Sequence, residues 1–129
     1  MYIISKEFSF EASHRLTGLP TYHPCSRHHG HSYKVILTLK KPVVDEVGFV
    51  RDYRTLDVVK NWIEETLDHR HLNDVLQFNP TAENIARHIY EVFSGSMEEL
   101  ASVTVKETGG TAATYEPFLF LDRQPNFTR

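Results

Sequence analysis

His29-Gly30-His31-Ser32-Tyr33-Lys34-Val35-Ile36-Leu37-Thr38-Leu39 reads most clearly two residues at a time. Its odd positions carry His, His, Tyr, Val, Leu and Leu, while the even positions after Gly30 carry Ser32, Lys34, Ile36 and Thr38. This period predicts a β-strand with one face turned to a core. On such a strand His29 and His31 point the same way, roughly 7 Å apart at their Cα atoms, so their rings can converge on one ion. Gly30 removes a side chain from the opposite face, consistent with close packing or with close approach of another backbone.

Upstream, residues 2–12 also alternate, with Phe8, Phe10 and Ala12 on one parity, and that parity carries His14 to the same face at a strand end. Residues 16–28 hold two prolines, a glycine and several polar side chains, which is loop chemistry, and Cys25 lies among them. His14, His29 and His31 supply three neutral imidazoles, the ligand number of a catalytic zinc site with its fourth position open. Cys25 then has three readings: a thiol base beside the metal, an inert thiol, or a fourth ligand closing a structural site.

Farther along, Lys41-Pro42-Val43-Val44-Asp45-Glu46 reads as a turn before a run Val47–Tyr53, which predicts a hairpin with the preceding strand. Leu56, Val59, Ile63 and Leu67 recur at helical spacing, with an end near Asp68. Asn79-Pro80-Thr81 opens a second helix, with Thr81 as N-cap and Ile85, Ile89, Val92 and Phe93 on its buried face. Val103, Val105 and Glu107 share a face of the next strand, and Gly109-Gly110 separates it from a last strand, Thr114–Leu121, that Pro117 assigns to an edge.

Two further places carry chemistry. Asp68-His69 either forms a proton relay, the carboxylate fixing the imidazole tautomer, or merely caps a helix end. Glu107 lies on a face built for burial, where a carboxylate is costly without a partner. That partner is either a core lysine or arginine, or a ligand edge with two adjacent N–H groups, such as a 2-amino-pyrimidinone. His23, His28, His71 and His88 are read as structural or solvated.

The 129 residues fit one domain, spanning 1–129. Fourteen basic and 17 acidic residues, a net charge of -3, are well mixed, which argues against a nucleic-acid partner. No segment reads as a leader or a membrane span, and a lone cysteine forms no internal disulfide, so a cytoplasmic protein with no membrane partner is expected.

Phe10-Glu11-Ala12-Ser13-His14, Cys25 to His31 with Tyr33, Leu67-Asp68-His69 with Leu72-Asn73, Asn79 to Asn84, and Val105-Lys106-Glu107-Thr108 together resemble the 6-pyruvoyltetrahydropterin synthase/6-carboxytetrahydropterin synthase family. The resemblance runs in order over nearly the whole chain. It implies an α+β tunnelling fold (T-fold), with a four-stranded antiparallel sheet and two helices on one face, assembled as a homohexamer of two stacked trimers. It also implies zinc on His14, His29 and His31, Cys25 as general base, Asp68 and His69 as relay, and Glu107 anchoring a pterin. The implied substrate is 7,8-dihydroneopterin triphosphate, with Arg27 a candidate phosphate contact.

Three residues separate Cys25 from His29, as in the 6-carboxytetrahydropterin synthases of queuosine (7-deazapurine) biosynthesis, whereas the pyruvoyl branch usually has five. Cys25 also argues against a folate-making branch that uses a glutamate instead. The chain departs from the carboxy branch at His28, often leucine there, and at the Gly109-Gly110 turn. The resemblance thus implies a carboxytetrahydropterin synthase, with a pyruvoyl-forming lyase as the alternative and a non-catalytic zinc- or pterin-binding module as the third reading.

Overall fold

The computed structural model of the protein describes residues 1–118. Strand β1 (Tyr2–His14) pairs antiparallel with β2 (His29–Lys41) along their full lengths, from Tyr2 opposite Lys41 to His14 opposite His29. The alternation of apolar side chains on both strands puts Phe8, Phe10, Tyr33, Val35, Leu37 and Leu39 on one face, all buried. Phe10 and Tyr33 are opposite one another, their rings stacked with centroids 4.7 Å apart. The other edge of β2 is taken by β4 (Leu100–Glu107), which turns through Thr108-Gly109-Gly110 into β5 (Thr111–Tyr115). Both glycines have positive φ, 109° and 89°, conformations that a side chain would strain.

Two main helices cover the apolar face: α1 (Asp57–Thr66), which buries Val59 and Ile63, and α3 (Ala82–Phe93). Between them in sequence come β3 (Arg70–His71) and a single turn, α2 (Leu72–Val75). Thr81 caps α3 by accepting the Asn84 N–H at 3.1 Å, and Ile85, Ala86, Ile89 and Phe93 face the core. Burying each such large side chain contributes about 1.5–3 kcal/mol.

Among the described residues the sheet has five strands, in the order β3-β1-β2-β4-β5, not the four expected. The extra strand is parallel to β1, beside Ala12 and Ser13, and arises because the His69 N–H donates to the Glu11 carbonyl at 2.6 Å. No hairpin forms at Val47–Tyr53, since β1 and β4 already occupy both edges of β2. There the Asp45 carboxylate accepts the N–H groups of Val47, Gly48 and Phe49 and folds the segment into a loop, and Asp52 caps a 3-10 turn, Tyr53–Leu56, leading into α1. Val92, expected inside, is 40% exposed, and Ala86 takes its place. The last strand begins at Thr111 and ends at Tyr115, so Pro117 follows it, and residues 119–121 of the expected strand lie outside the described residues.

Candidate metal centre

The β1–β2 register that buries Phe10 against Tyr33 also ends with His14 opposite His29, and strand alternation adds His31 on the same face. Their three rings meet nearly edge to face, with interplanar angles of 68°, 86° and 89°. One nitrogen from each lies within 4.8 Å of the others.

Hydrogen bonding fixes the tautomers. His14 Nδ1 lies 2.8 Å from the Pro80 carbonyl, and His29 Nδ1 lies 2.7 Å from the Arg27 carbonyl. A carbonyl only accepts, so both Nδ1 atoms carry the hydrogen, and both Nε2 atoms of the neutral rings are bare lone pairs. These two Nε2 atoms lie 2.8 Å apart. The third, His31 Nε2, is buried without a hydrogen-bond partner. The facing lone pairs of His14 and His29 repel unless a cation lies between them, and three imidazole nitrogens suit zinc, copper, iron or nickel. The residues therefore fit a metal ion. Burial holds the His14 imidazole below its ordinary pKa of 6.5 and neighbouring His29 adds to this, against the upward pull of the Pro80 carbonyl. His14 is thus kept in the neutral form a ligand needs.

Around this centre, the Tyr33 hydroxyl lies 3.1 Å from His14 Nδ1 and shares its hydrogen with Pro80. Burial, helped by the Glu107 charge, raises the Tyr33 pKa and keeps the phenol protonated. Glu107 ends β4 with Oε2 3.4 Å from His31 Nε2, so its neighbour is an imidazole of the centre and not a core lysine or arginine.

Asp68 and His69 do more than end a helix. Asp68 accepts the Glu11 N–H at 2.9 Å and holds His69 Nδ1 at 3.0 Å. The Glu11 bond, seconded by His69, keeps the Asp68 carboxyl below its ordinary value. His69 has φ of 58°, the only non-glycine in the left-handed region among the described residues. Its ring is 78% exposed, presented to solvent by a backbone conformation that costs about 1–2 kcal/mol. An open cleft of about 500 Å³ runs from His31 past Ser13 and Ser32 to His69 and His71. Gly30 lines it too. A Cβ there would meet the Ala12 carbonyl at an ordinary van der Waals 3.6 Å, so the neighbouring backbone packs against this position without excluding a side chain, and the glycine keeps the cleft open.

Cys25 sits in a 3-10 turn, Pro24–Ser26, whose N-cap is His23; its N–H donates to His23 Nδ1 at 3.1 Å. Its thiol belongs neither to the three-nitrogen group nor to the lining of that cleft. Sequence reading missed the residues that hold this loop. The side-chain amide of Asn73 bonds both backbone groups of Arg15, at 2.7 Å each, and that of Asn79 bonds both of Thr17, at 2.9 and 3.2 Å. His28 and His71, read as structural or solvated, stack their rings 4.4 Å apart and 6° from parallel, a pairing the sequence does not show. Asn73 and Asn79 stand among the motif residues of the family resemblance, and Tyr33 shares the parity of the histidines, but neither signal gives these roles.

A family model described as 6-pyruvoyl tetrahydropterin synthase matches residues 3–117. The 6-carboxy-5,6,7,8-tetrahydropterin synthase of Synechocystis is 39% identical over 124 residues, covering 89% of this chain and 93% of that protein. The Bacillus subtilis protein of the same name is 31% identical over 106 residues, covering 72% and 70%. The solved structure of Caenorhabditis elegans 6-pyruvoyl tetrahydropterin synthase superimposes with a TM-score of 0.75 at 30% identity, covering 90% of this chain and 96% of that one.

Proposed function

This chain belongs to the 6-pyruvoyl tetrahydropterin synthase family, and from that premise we propose that it is a zinc-dependent 6-carboxy-5,6,7,8-tetrahydropterin synthase. Its substrate is 7,8-dihydroneopterin triphosphate, and its product feeds queuosine-type 7-deazapurine synthesis in the cytoplasm. The convergence of the bare Nε2 atoms of His14 and His29 with a third imidazole, His31, whose buried Nε2 makes no hydrogen bond among the described residues, carries this reading. The three-residue interval between Cys25 and His29 favours the carboxy product.

His14, His29 and His31 would hold the zinc, which when bound supplies a Lewis acid that acidifies C–H and O–H groups beside the oxygens it holds. Cys25, as thiolate, takes a proton from the substrate side chain. His69, oriented by Asp68 through Nδ1, returns a proton to a neighbouring position, so the side chain isomerises. Glu107 accepts two N–H groups from the pterin edge and fixes the ring. Triphosphate then leaves and a carbon–carbon bond breaks. Substrate plus water equals carboxytetrahydropterin, acetaldehyde and triphosphate, with no net oxidation.

Cys25 does not line the cleft joining His31 to His69 within one chain, which supports a site completed between chains. Among the described residues the outer edge of β1 is paired only at Ala12 and Ser13, and such an edge favours closure into a barrel. The assembly we propose is a hexamer of two trimers, and full activity from a monomer in sedimentation would overturn it.

A pyruvoyl-forming lyase is the second reading, favoured by the likeness to the Caenorhabditis elegans structure. Mass analysis of the product decides. Acetaldehyde with carboxytetrahydropterin is expected, and a pyruvoyl product without acetaldehyde would replace the first reading by the second.

A further inference from the structure

The loop between β1 and β2 is fastened differently on its two legs. The outgoing leg is held at Arg15 and Thr17 by the amides of Asn73 and Asn79. The return leg, which carries Cys25 and leads into His29, has the Leu16 N–H donating to the Cys25 carbonyl at 2.8 Å. Beyond it the Arg27 carbonyl lies 2.7 Å from His29 Nδ1, and His28 is stacked on His71. His71 is in turn held from the side: its Nδ1 lies 2.9 Å from the Ser13 hydroxyl, and Ser13 is its partner in the parallel β1–β3 pairing. The stack therefore ties an exposed loop residue to the sheet through a side chain whose own ring plane is fixed.

We propose that His71, braced by Ser13, is a positioning residue that seats the return leg through His28 and so sets where the Cys25 thiol stands relative to the three-histidine centre. A leucine at position 28 would offer no planar face to His71. A flat aromatic pair resists sliding and tilting because its contact is lost when the planes separate. The function of the seated thiol as a base rests on the proposed lyase reading; the seating itself does not.

The test is the rate at which a small alkylating reagent labels Cys25 in the full metal-loaded chain, compared among native protein, His71→Ala and His71→Phe. His71→Ala is expected to change the labelling rate by about threefold to tenfold, the scale of one lost aromatic contact. His71→Phe keeps a ring plane against His28 but loses the Ser13 brace, and is expected to label at a rate between those of the native and alanine proteins. Metal content stays at the native level in both. Native labelling in a folded His71→Ala protein would overturn the proposal, as would a His71→Phe protein altered as much as the alanine variant. If His71→Ala does not melt cooperatively, His28→Ala, at an exposed position, carries the same expectation and the same refutation. Labelling does not require turnover, so a native chain without synthase activity would count against the proposed function and leave this inference standing.

Discussion

The Pro80 carbonyl lies 2.8 Å from His14 Nδ1, so the entry to α3 sets the tautomer of a strand residue 66 positions earlier. Helix packing and the metal centre are thereby coupled. A chain stripped with a chelator is expected to lose about 10 °C in melting temperature relative to the chain with metal at a hundredfold excess over its Kd. Elemental analysis should find close to one divalent ion per chain, falling sharply in His31→Ala. Retention of the ion by that variant would move the centre elsewhere.

Cys25→Ala separates base from ligand. Turnover is expected to fall by about 10²–10⁴, the usual weight of a general base, with metal content unchanged. Loss of the metal instead would make the thiol a fourth ligand.

Glu107→Gln keeps the shape but replaces one acceptor oxygen with a donor facing the substrate N–H groups. Losing a charge-assisted hydrogen bond of about 1.5–3 kcal/mol should lower kcat/KM roughly ten- to a hundredfold. An unchanged kcat/KM would remove Glu107 from pterin binding.

The carboxyl of Asp68 titrates lower in the folded chain than its ordinary 3.8, through the Glu11 N–H first and His69 second. A carboxyl depressed by folding contributes stability above its ordinary pKa, and that contribution is lost as the pH falls through the folded value. Native protein and Asp68→Asn should therefore differ in urea midpoint above the ordinary carboxyl range, and the difference should shrink as the pH is lowered through the folded pKa of Asp68. A gap that widens in acid would refute this assignment.

At His69 stability and activity are expected to part. Glycine relieves a left-handed backbone worth about 1–2 kcal/mol and gives back about 0.5–1 in unfolded-chain entropy, so His69→Gly should be about 0.5–1 kcal/mol more stable. The same variant should be nearly inactive. A lower urea midpoint would show that the imidazole anchors the turn.

Much of this was legible because burial leaves a period. The odd residues of His29–Leu39 and the even residues of β1 share one face in the structure, and so do Val103, Val105 and Glu107. Where the period misled, a side chain outside the pattern decided. Val47, Phe49 and the residues after them imitate a strand, but Asp45 captures three of their N–H groups before any sheet can. Strand β3 has two residues and no period; it exists because His69 turns the chain against Glu11. Nor could parity reveal the His28–His71 stack, which joins two segments brought together only by the fold.

The amides of Asn73 and Asn79 touch only main-chain atoms of Arg15 and Thr17. Any side chain but that of proline, which has no N–H to give, leaves the grip the same. Those positions are thereby released to diverge toward new ligands without loosening the loop, while the two asparagines are not: a change to aspartate keeps the acceptor and forfeits the donor. Evolutionary latitude and constraint are thus divided between the two partners of a single clamp.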